Sequence, residues 1–306
     1  MNPLPIRLPL HPAHPARGLP IVGTAFLLGL YALPGQADEN LFGYVTGADT
    51  LPKGANEVYL WATDRRDKAQ GKYAAQDYRI ELERGLTDRL TGSLYLNWRA
   101  HDIDGAAPAD ETGMPEYPDV DRFGFQGVQG SLKYNFLSPY THPFGLSLYV
   151  EPGYSEIYKI TGQEQKEMSL ETKLIVQKNF LEDQLIWATN LTPEFEVRKF
   201  EGEDEWETEL AFEVTSGVSY RFAPKWFGGL EARYHSEYPD WPDANTREHY
   251  AVFLGPTLHY GAKQWWWTFT YLPQLTGRPS DPDRDEDLHL HEHEKRELRL
   301  KVGYNF

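Results

Sequence analysis

Leu298-Arg299-Leu300-Lys301-Val302-Gly303-Tyr304-Asn305-Phe306 is the stretch that decides the fold. Leu298, Leu300, Val302, Tyr304 and Phe306 fall on one face, and Arg299, Lys301, Gly303 and Asn305 on the other. A period of two predicts a strand with an apolar and a polar face. The same alternation recurs upstream. Tyr78, Ile80 and Leu82 stand against Arg79, Glu81 and Glu83, and Leu132, Tyr134 and Phe136 against Ser131, Lys133 and Asn135.

Twelve strands are expected, at about 57–64, 73–84, 89–102, 122–136, 145–158, 166–180, 184–199, 205–222, 226–238, 249–260, 264–275 and 292–306. The connections alternate in kind. Those after even-numbered strands are short, as at Gly85-Leu86-Thr87-Asp88, Leu181-Glu182-Asp183, Ala223-Pro224-Lys225 and Gly261-Ala262-Lys263. Several of the others are long, acidic and rich in Pro and Gly, notably 103–121, 239–247 and 276–291. Short turns at one end and long loops at the other are the asymmetry of a membrane barrel. Pro152, Pro193, Pro256 and Pro273 each fall inside an expected strand, where a missing ladder donor predicts a bulge or bend.

A closing strand that is apolar at every second place and ends in Phe resembles the assembly signal of Gram-negative outer-membrane β-barrels. Leu298, Leu300, Val302, Tyr304 and Phe306 carry it. The Leu51-Pro52-Lys53-Gly54 entry and the Gly85-Leu86-Thr87-Asp88-Arg89-Leu90 turn are similar to those of porin-like and transporter-like barrels. The resemblance implies a transmembrane antiparallel up-and-down barrel over 56–306, with both termini periplasmic. It also implies contact with outer-membrane lipid and lipopolysaccharide, and delivery by periplasmic chaperones to the barrel-assembly machinery. Aromatics flanking the short turns (Tyr134, Phe136, Phe180, Trp187, Phe222, Trp226, Tyr260, Trp265 to Trp267, Tyr304 and Phe306) fit an interfacial girdle.

The start of the chain agrees. Arg7 and Arg17 precede an apolar run from Leu19 to Pro34, then Gly35-Gln36-Ala37 and the acidic Asp38-Glu39. This reads as an export signal peptide over 1–37, cleaved after Ala37. The alternative is an uncleaved anchor, for which the run is short of the ~20 residues a spanning helix needs. Residues 38–55 lack a clear period and read as a periplasmic entry segment before the barrel. With 30 basic and 46 acidic residues the net charge is −16, which opposes nucleic-acid partners. The absence of Cys excludes a disulfide scaffold, thiol catalysis and Cys-ligated zinc.

If the apolar face meets lipid, the polar face lines a lumen. Arg79, Glu81, Glu83, Arg99, Glu194, Glu196, Arg198, Glu209, Glu213, Glu231, Arg233, Glu297 and Arg299 are the candidate pathway residues. Twelve strands suit a narrow channel. The expected function is passive, porin-like passage of a small solute, selected electrostatically. Mixed signs also suit a plugged barrel with paired charges, acting through its acidic loops as a structural or surface-binding protein.

Three further sites lie outside the lumen face. Asp281, Asp283, Asp285, Asp287, His289 and Glu292 have much of a calcium loop's spacing, but Glu286 stands where glycine is required. Loose divalent-cation binding across 281–292 competes there with a solvated charge run, and no other cofactor is expected. His289, His291 and His293 share one face of a strand by period two and could hold a transition metal. The competing reading is a polar extracellular rim. A lipid hydrolase would need a Ser–His pair. The candidates His235 and Ser236 are strand neighbours and point to opposite faces, so no enzyme is expected.

Overall fold

The computed structural model describes residues 40–68, 70–107, 118–244, 246–280 and 287–306. The expected signal peptide, with Asp38 and Glu39, lies outside them, as do Asp281, Asp283 and Asp285 of the calcium-like loop.

Twelve strands form: β1 (Asn56–Arg66), β2 (Gln70–Thr87), β3 (Leu90–Ala107), β4 (Val120–Leu137), β5 (Gly145–Ile157), β6 (Glu164–Phe180), β7 (Leu185–Phe200), β8 (Glu207–Ala223), β9 (Trp226–Pro239), β10 (His249–Gly261), β11 (Trp265–Pro279) and β12 (Arg296–Asn305). Each pairs antiparallel with its sequence neighbours, and β1 pairs with β12, from Glu57 opposite Asn305 to Arg66 opposite Arg296. The sheet is a closed barrel with no free edge. No helix occurs among the described residues.

The strands run further into the expected loops than alternation indicated. β3 continues to Ala107, β4 begins at Val120, and β11 continues to Pro279. β12 departs the other way. It begins at Arg296 rather than near Glu292, because residues 287–295 fold as bends and turns.

Face chemistry is inverted relative to a soluble barrel. Leu94 is 70% and Leu82 54% exposed on the outer face, whereas Glu81 is 1% and Glu297 0% exposed inside. Leu300, Val302, Tyr304 and Phe306 point outward, while Glu297 and Lys301 are buried. An apolar exterior over a closed ladder is the arrangement a bilayer requires. Tyr134 packs edge-on to Phe136, and Trp226 packs on Tyr260 and Trp267, forming outward aromatic clusters at the short-turn end. Trp266 departs from the expected girdle. It is buried inside and donates its indole N–H to Glu57.

Leu96 tests the lipid-facing assignment. It sits in one outer row with Ile80 and Val128, six residues along β3 from the Leu90–Tyr134 pair. At ~3.4 Å per residue and ~45° tilt that is about 14 Å beyond the aromatic level, near mid-bilayer. Leu96→Arg is expected to destabilise the barrel by about 2–4 kcal/mol in lipid vesicles, and Leu86→Arg beside the short turn by about 0–1. Equal costs in urea-unfolding titrations would refute the lipid-facing assignment.

The expected proline irregularities appear as gaps in three ladders. The β4–β5 ladder passes from Gln129–Gly153 to Leu132–Val150, across Pro152. The β6–β7 ladder passes from Glu171–Glu194 to Leu174–Leu191, across Pro193. The β10–β11 ladder passes from Phe253–Gln274 to Thr257–Thr270, across Pro256 and Pro273. A proline has no N–H to offer the neighbouring strand.

Candidate functional site

Residues 40–52 lie inside the barrel at its short-turn end. They cross the inner wall strand by strand. The Leu51 N–H donates to Thr91 Oγ1 at 2.9 Å, that of Ala48 to Gln177 Oε1 at 2.8 Å, and that of Thr46 to Asn190 Oδ1 at 2.7 Å. Asn135 Nδ2 and Ser147 Oγ both donate to the Ala48 carbonyl. The Glu231 carboxylate then collects three successive amides, Gly43 at 2.7 Å, Tyr44 at 2.8 Å and Val45 at 3.3 Å, along with the Thr270 hydroxyl. Thr268 Oγ1 donates to the Asn40 carbonyl and Lys301 Nζ to Asn40 Oδ1.

Apolar contacts fasten the same segment. Leu41, Phe42 and Val45 pack with Ile186 and Ala188, two inward apolar residues of β7, and Phe227 borders them. A Cβ on Gly217 would come within 2.6 Å of the Phe42 ring, so glycine leaves the room that Phe42 occupies. Burial pushes the Asp49 carboxyl up to about 6, against the hydrogen bonds from Gln177 and Tyr140.

Above this segment the wall carries the charges. Glu297 is fully buried. It accepts from Arg65 at 2.8 Å, from Arg233 and from the Tyr44 hydroxyl. Arg233 also reaches Glu213 at 3.4 Å. Arg299 donates to Thr63 at 2.8 Å and to the Gly43 carbonyl at 3.1 Å, with its guanidinium 3.7 Å from the Tyr44 ring centre. Arg99 pairs with Asp77 at 2.9 Å. Arg79 donates to Asn97 and Gln129 and is sandwiched between Trp61 and Tyr95. Glu81 and Glu83 are buried beside it. On the far side Arg198 gathers Glu196 at 3.1 Å, Glu207 at 3.3 Å and Glu209, and Lys159 reaches Glu196 at 3.0 Å. Burial pulls the Lys159 ammonium down, but Glu196 and Glu237 outweigh it and hold the group raised and cationic.

Many of these groups, but not Glu297, Arg198, Glu207 or Glu209, line a cavity of about 340 Å³ floored by Gly43, Tyr44 and Thr46. Its lining carries as many cationic as anionic side chains, but not evenly mixed. Arg65, Arg79, Arg99, Arg299 and Lys301 come from β1, β2, β3 and β12, with Asp77, Glu81 and Glu83 of β2 among them. Glu167, Glu171, Glu194, Glu196 and Glu213 come from β6, β7 and β8, with Lys173 of β6 among them. In the ring order β6 and β7 stand diametrically opposite β12 and β1. Thus a wall richer in guanidinium groups faces one richer in carboxylates.

The long-loop end holds a second cluster. The His289, His291 and His293 side chains are buried, on a turn segment rather than on one strand face or an exposed rim. His249 of β10 stacks on His289 at 4.7 Å and meets His293 edge-on at 5.0 Å, and His235 of β9 packs against His293 at 5.1 Å. Burial, reinforced by His249, holds the His293 imidazole well below its ordinary value, hence neutral at pH 7. Among the described acids of the calcium-like spacing, Glu292 joins this cluster. His235 makes no dyad with Ser236, whose hydroxyl donates to the Phe212 carbonyl of the preceding strand β8.

All thirteen candidate pathway residues therefore lie on the inner face, though in separate knots rather than one row. Sequence reading missed the segment 40–52, and with it the role of Glu231 as its anchor. The available signal was Leu41-Phe42 and Val45, apolar residues among glycines where a solvated leader would be polar. It also missed Lys159, Glu237 and His249 as partners, since each lies where a strand meets a long connection.

Solved structures show similarity to this chain. The COG4313 outer membrane channel from Pseudomonas putida F1 superposes with a TM-score of 0.56 at 13% identity, over 85% of this chain and 98% of that one. The KdgM porin aligns over 82% of this chain and 99% of that one, at 14% identity and a TM-score of 0.38. No curated protein matches the sequence. The fold is that of an outer-membrane barrel. Residues 34–306 match the family of unknown function DUF6662, and the chain belongs to that family.

Proposed function

We propose that the protein is a passive outer-membrane channel, with the short-turn end periplasmic, that passes a small polar solute bearing both charges. The opposition of a guanidinium-rich and a carboxylate-rich wall across one cavity carries this reading. A field directed across a narrow, low-dielectric passage orients a dipolar solute and exchanges part of its hydration for wall contacts. A zwitterion of amino-acid size meets both walls at once, whereas an ion of either sign is repelled by one of them. The cavity volume of about 340 Å³ falls at the lower end of the ~300–1,000 Å³ range of small-molecule sites. The COG4313 protein, similar in fold, is itself described as a channel, which supports the same class of function.

Planar-bilayer recording and liposome swelling test it. The expected result is a small conductance, with faster swelling in glycine or alanine than in a neutral sugar of similar size. Replacing Glu171, Glu194 and Glu196 together by Gln removes one wall and is expected to abolish that preference while leaving a conductance. Absence of both conductance and swelling would sink the channel reading. It would leave the plugged barrel, which residues 40–52 in the lumen and the dense ion pairs above them favour.

A further inference from the structure

The cluster at the long-loop end has the chemistry of a metal site. Glu237 of β9, His249 of β10 and Glu292 of the 287–295 segment each offer one donor atom, and the three atoms lie within 4.8 Å of one another. We propose that Glu237, His249 and Glu292 bind a transition-metal dication of the Zn²⁺ class.

Geometry is the first support. Glu237 and His249 are cross-strand partners in the β9–β10 ladder, and Glu292 approaches them from a separate segment, so the convergence of all three is not a by-product of strand pairing alone. His249 Nε2 and Glu237 Oε2 are 3.1 Å apart, close to the ~3.4 Å edge of a tetrahedron with metal bonds of about 2.1 Å. A small inward movement of Glu292, on a turn rather than in the ladder, closes the remaining distance.

The second support is independent. Glu292 Oε2 is buried without a hydrogen-bond partner, and the nearby Lys68 Nζ donates to the Glu292 backbone carbonyl at 2.7 Å. A buried carboxylate oxygen left unmatched is costly, and a cation between it and Glu237 removes that cost. The surroundings also orient the imidazole. His249 Nδ1 lies 3.2 Å from His293 Nε2, and the His249 ring is stacked on His289, which together fix its plane and direct Nε2 toward the carboxylates.

Donor type sets the class of metal. One imidazole and two carboxylates suit Zn²⁺ and its neighbours, whereas Ca²⁺ and Mg²⁺ prefer all-oxygen shells. The chain has no Cys thiolate to favour a softer ion. A bound ion would tie the 287–295 segment to β9 and β10 and replace any proton on His249 Nε2. The competing reading is an ion-pair knot in which Lys159, 3.8 Å from Glu237, suffices. It leaves the buried Glu292 oxygen unexplained.

The test is a ZnCl₂ titration of the full chain in detergent micelles, in competition with a chromophoric chelator near neutral pH. One Zn²⁺ per chain is expected. His249→Ala and Glu292→Gln should each weaken binding at least about tenfold, and His293→Phe, which removes only the orienting contact, should weaken it by a smaller factor. His142→Ala, at an exposed histidine of the β4–β5 turn, should leave it unchanged. If His249→Ala fails to fold, Glu292→Gln decides the matter. No saturable uptake, tighter binding of Ca²⁺, or variants that bind as the parent does would each overturn the site. The titration needs no ion flow, so a barrel that does not conduct leaves it valid.

Discussion

Replacing Glu297 by Ala should lower the unfolding free energy of the barrel by about 3 kcal/mol, at the lower end of the ~3–5 kcal/mol seen when one partner of a buried charge pair is removed. Glu297 is completely buried and accepts from Arg65, Arg233 and Tyr44. Truncation leaves two guanidinium groups and a phenol facing a void. The lower end applies because neither arginine is stranded. Arg65 keeps Asp77 at 2.7 Å and Glu294 at 3.4 Å, and Arg233 keeps Glu213 at 3.4 Å. Glu297→Gln retains a carbonyl acceptor and should cost less than Glu297→Ala. Asp102→Ala, which breaks an exposed pair with Lys72, should leave the unfolding midpoint in place. Urea titrations of the three variants refolded into vesicles give the comparison. A Glu297→Ala midpoint equal to that of Asp102→Ala would show that the network adds nothing to stability.

The network also shows how much of the molecule is legible in the sequence. Alternation is a local property, so it gave the strand sequence and the faces. Leu298 to Phe306 and Arg79 to Glu83 could be sorted into outside and inside from spacing alone. What pairs inside is not local. Glu297 meets Arg233 across 64 residues and Tyr44 across 253. Such partners follow from register and tilt around a closed ring, which no single strand encodes. The segment 40–52 escaped for a different reason. Its partners are hydrogen-bonding side chains on most of the strands, and a chain lining the inside of a barrel needs no period of its own. The histidines show a third limit. Period two placed His289, His291 and His293 on one strand face, but β12 begins only at Arg296 and the turns before it bury all three. Clustering was inferable; the geometry that clusters them was not.

Glu231→Ala should open the lumen. Glu231 binds three consecutive amides of the inner segment, those of Gly43, Tyr44 and Val45. Bonds to a charged acceptor contribute about 1.5–3 kcal/mol each, and a buried donor left unmatched costs about 1–3. Even at the low end the loss is about 3 kcal/mol, roughly a hundredfold in the ratio of released to docked segment. Leu41, Phe42 and Val45 oppose release, at about 1.5–3 kcal/mol for each fully buried side chain, so these three should stay seated while Gly43 and Tyr44 between them loosen. Thr270 keeps its bond to Thr257 at 2.9 Å, and the β9 wall itself loses no ladder contact. Because Gly43 and Tyr44 form part of the cavity floor, their detachment widens the passage where the segment crosses it. The expected result is a rise in single-channel conductance that stays below that of a chain lacking residues 40–51, because the apolar anchors and the Arg299 and Glu297 bonds remain, together with faster proteolysis within the segment. Glu231→Gln, which keeps one carbonyl acceptor, should fall between. Faster proteolysis with unchanged conductance would show that the segment detaches without having constricted the passage, and would move the constriction to the charged walls above it.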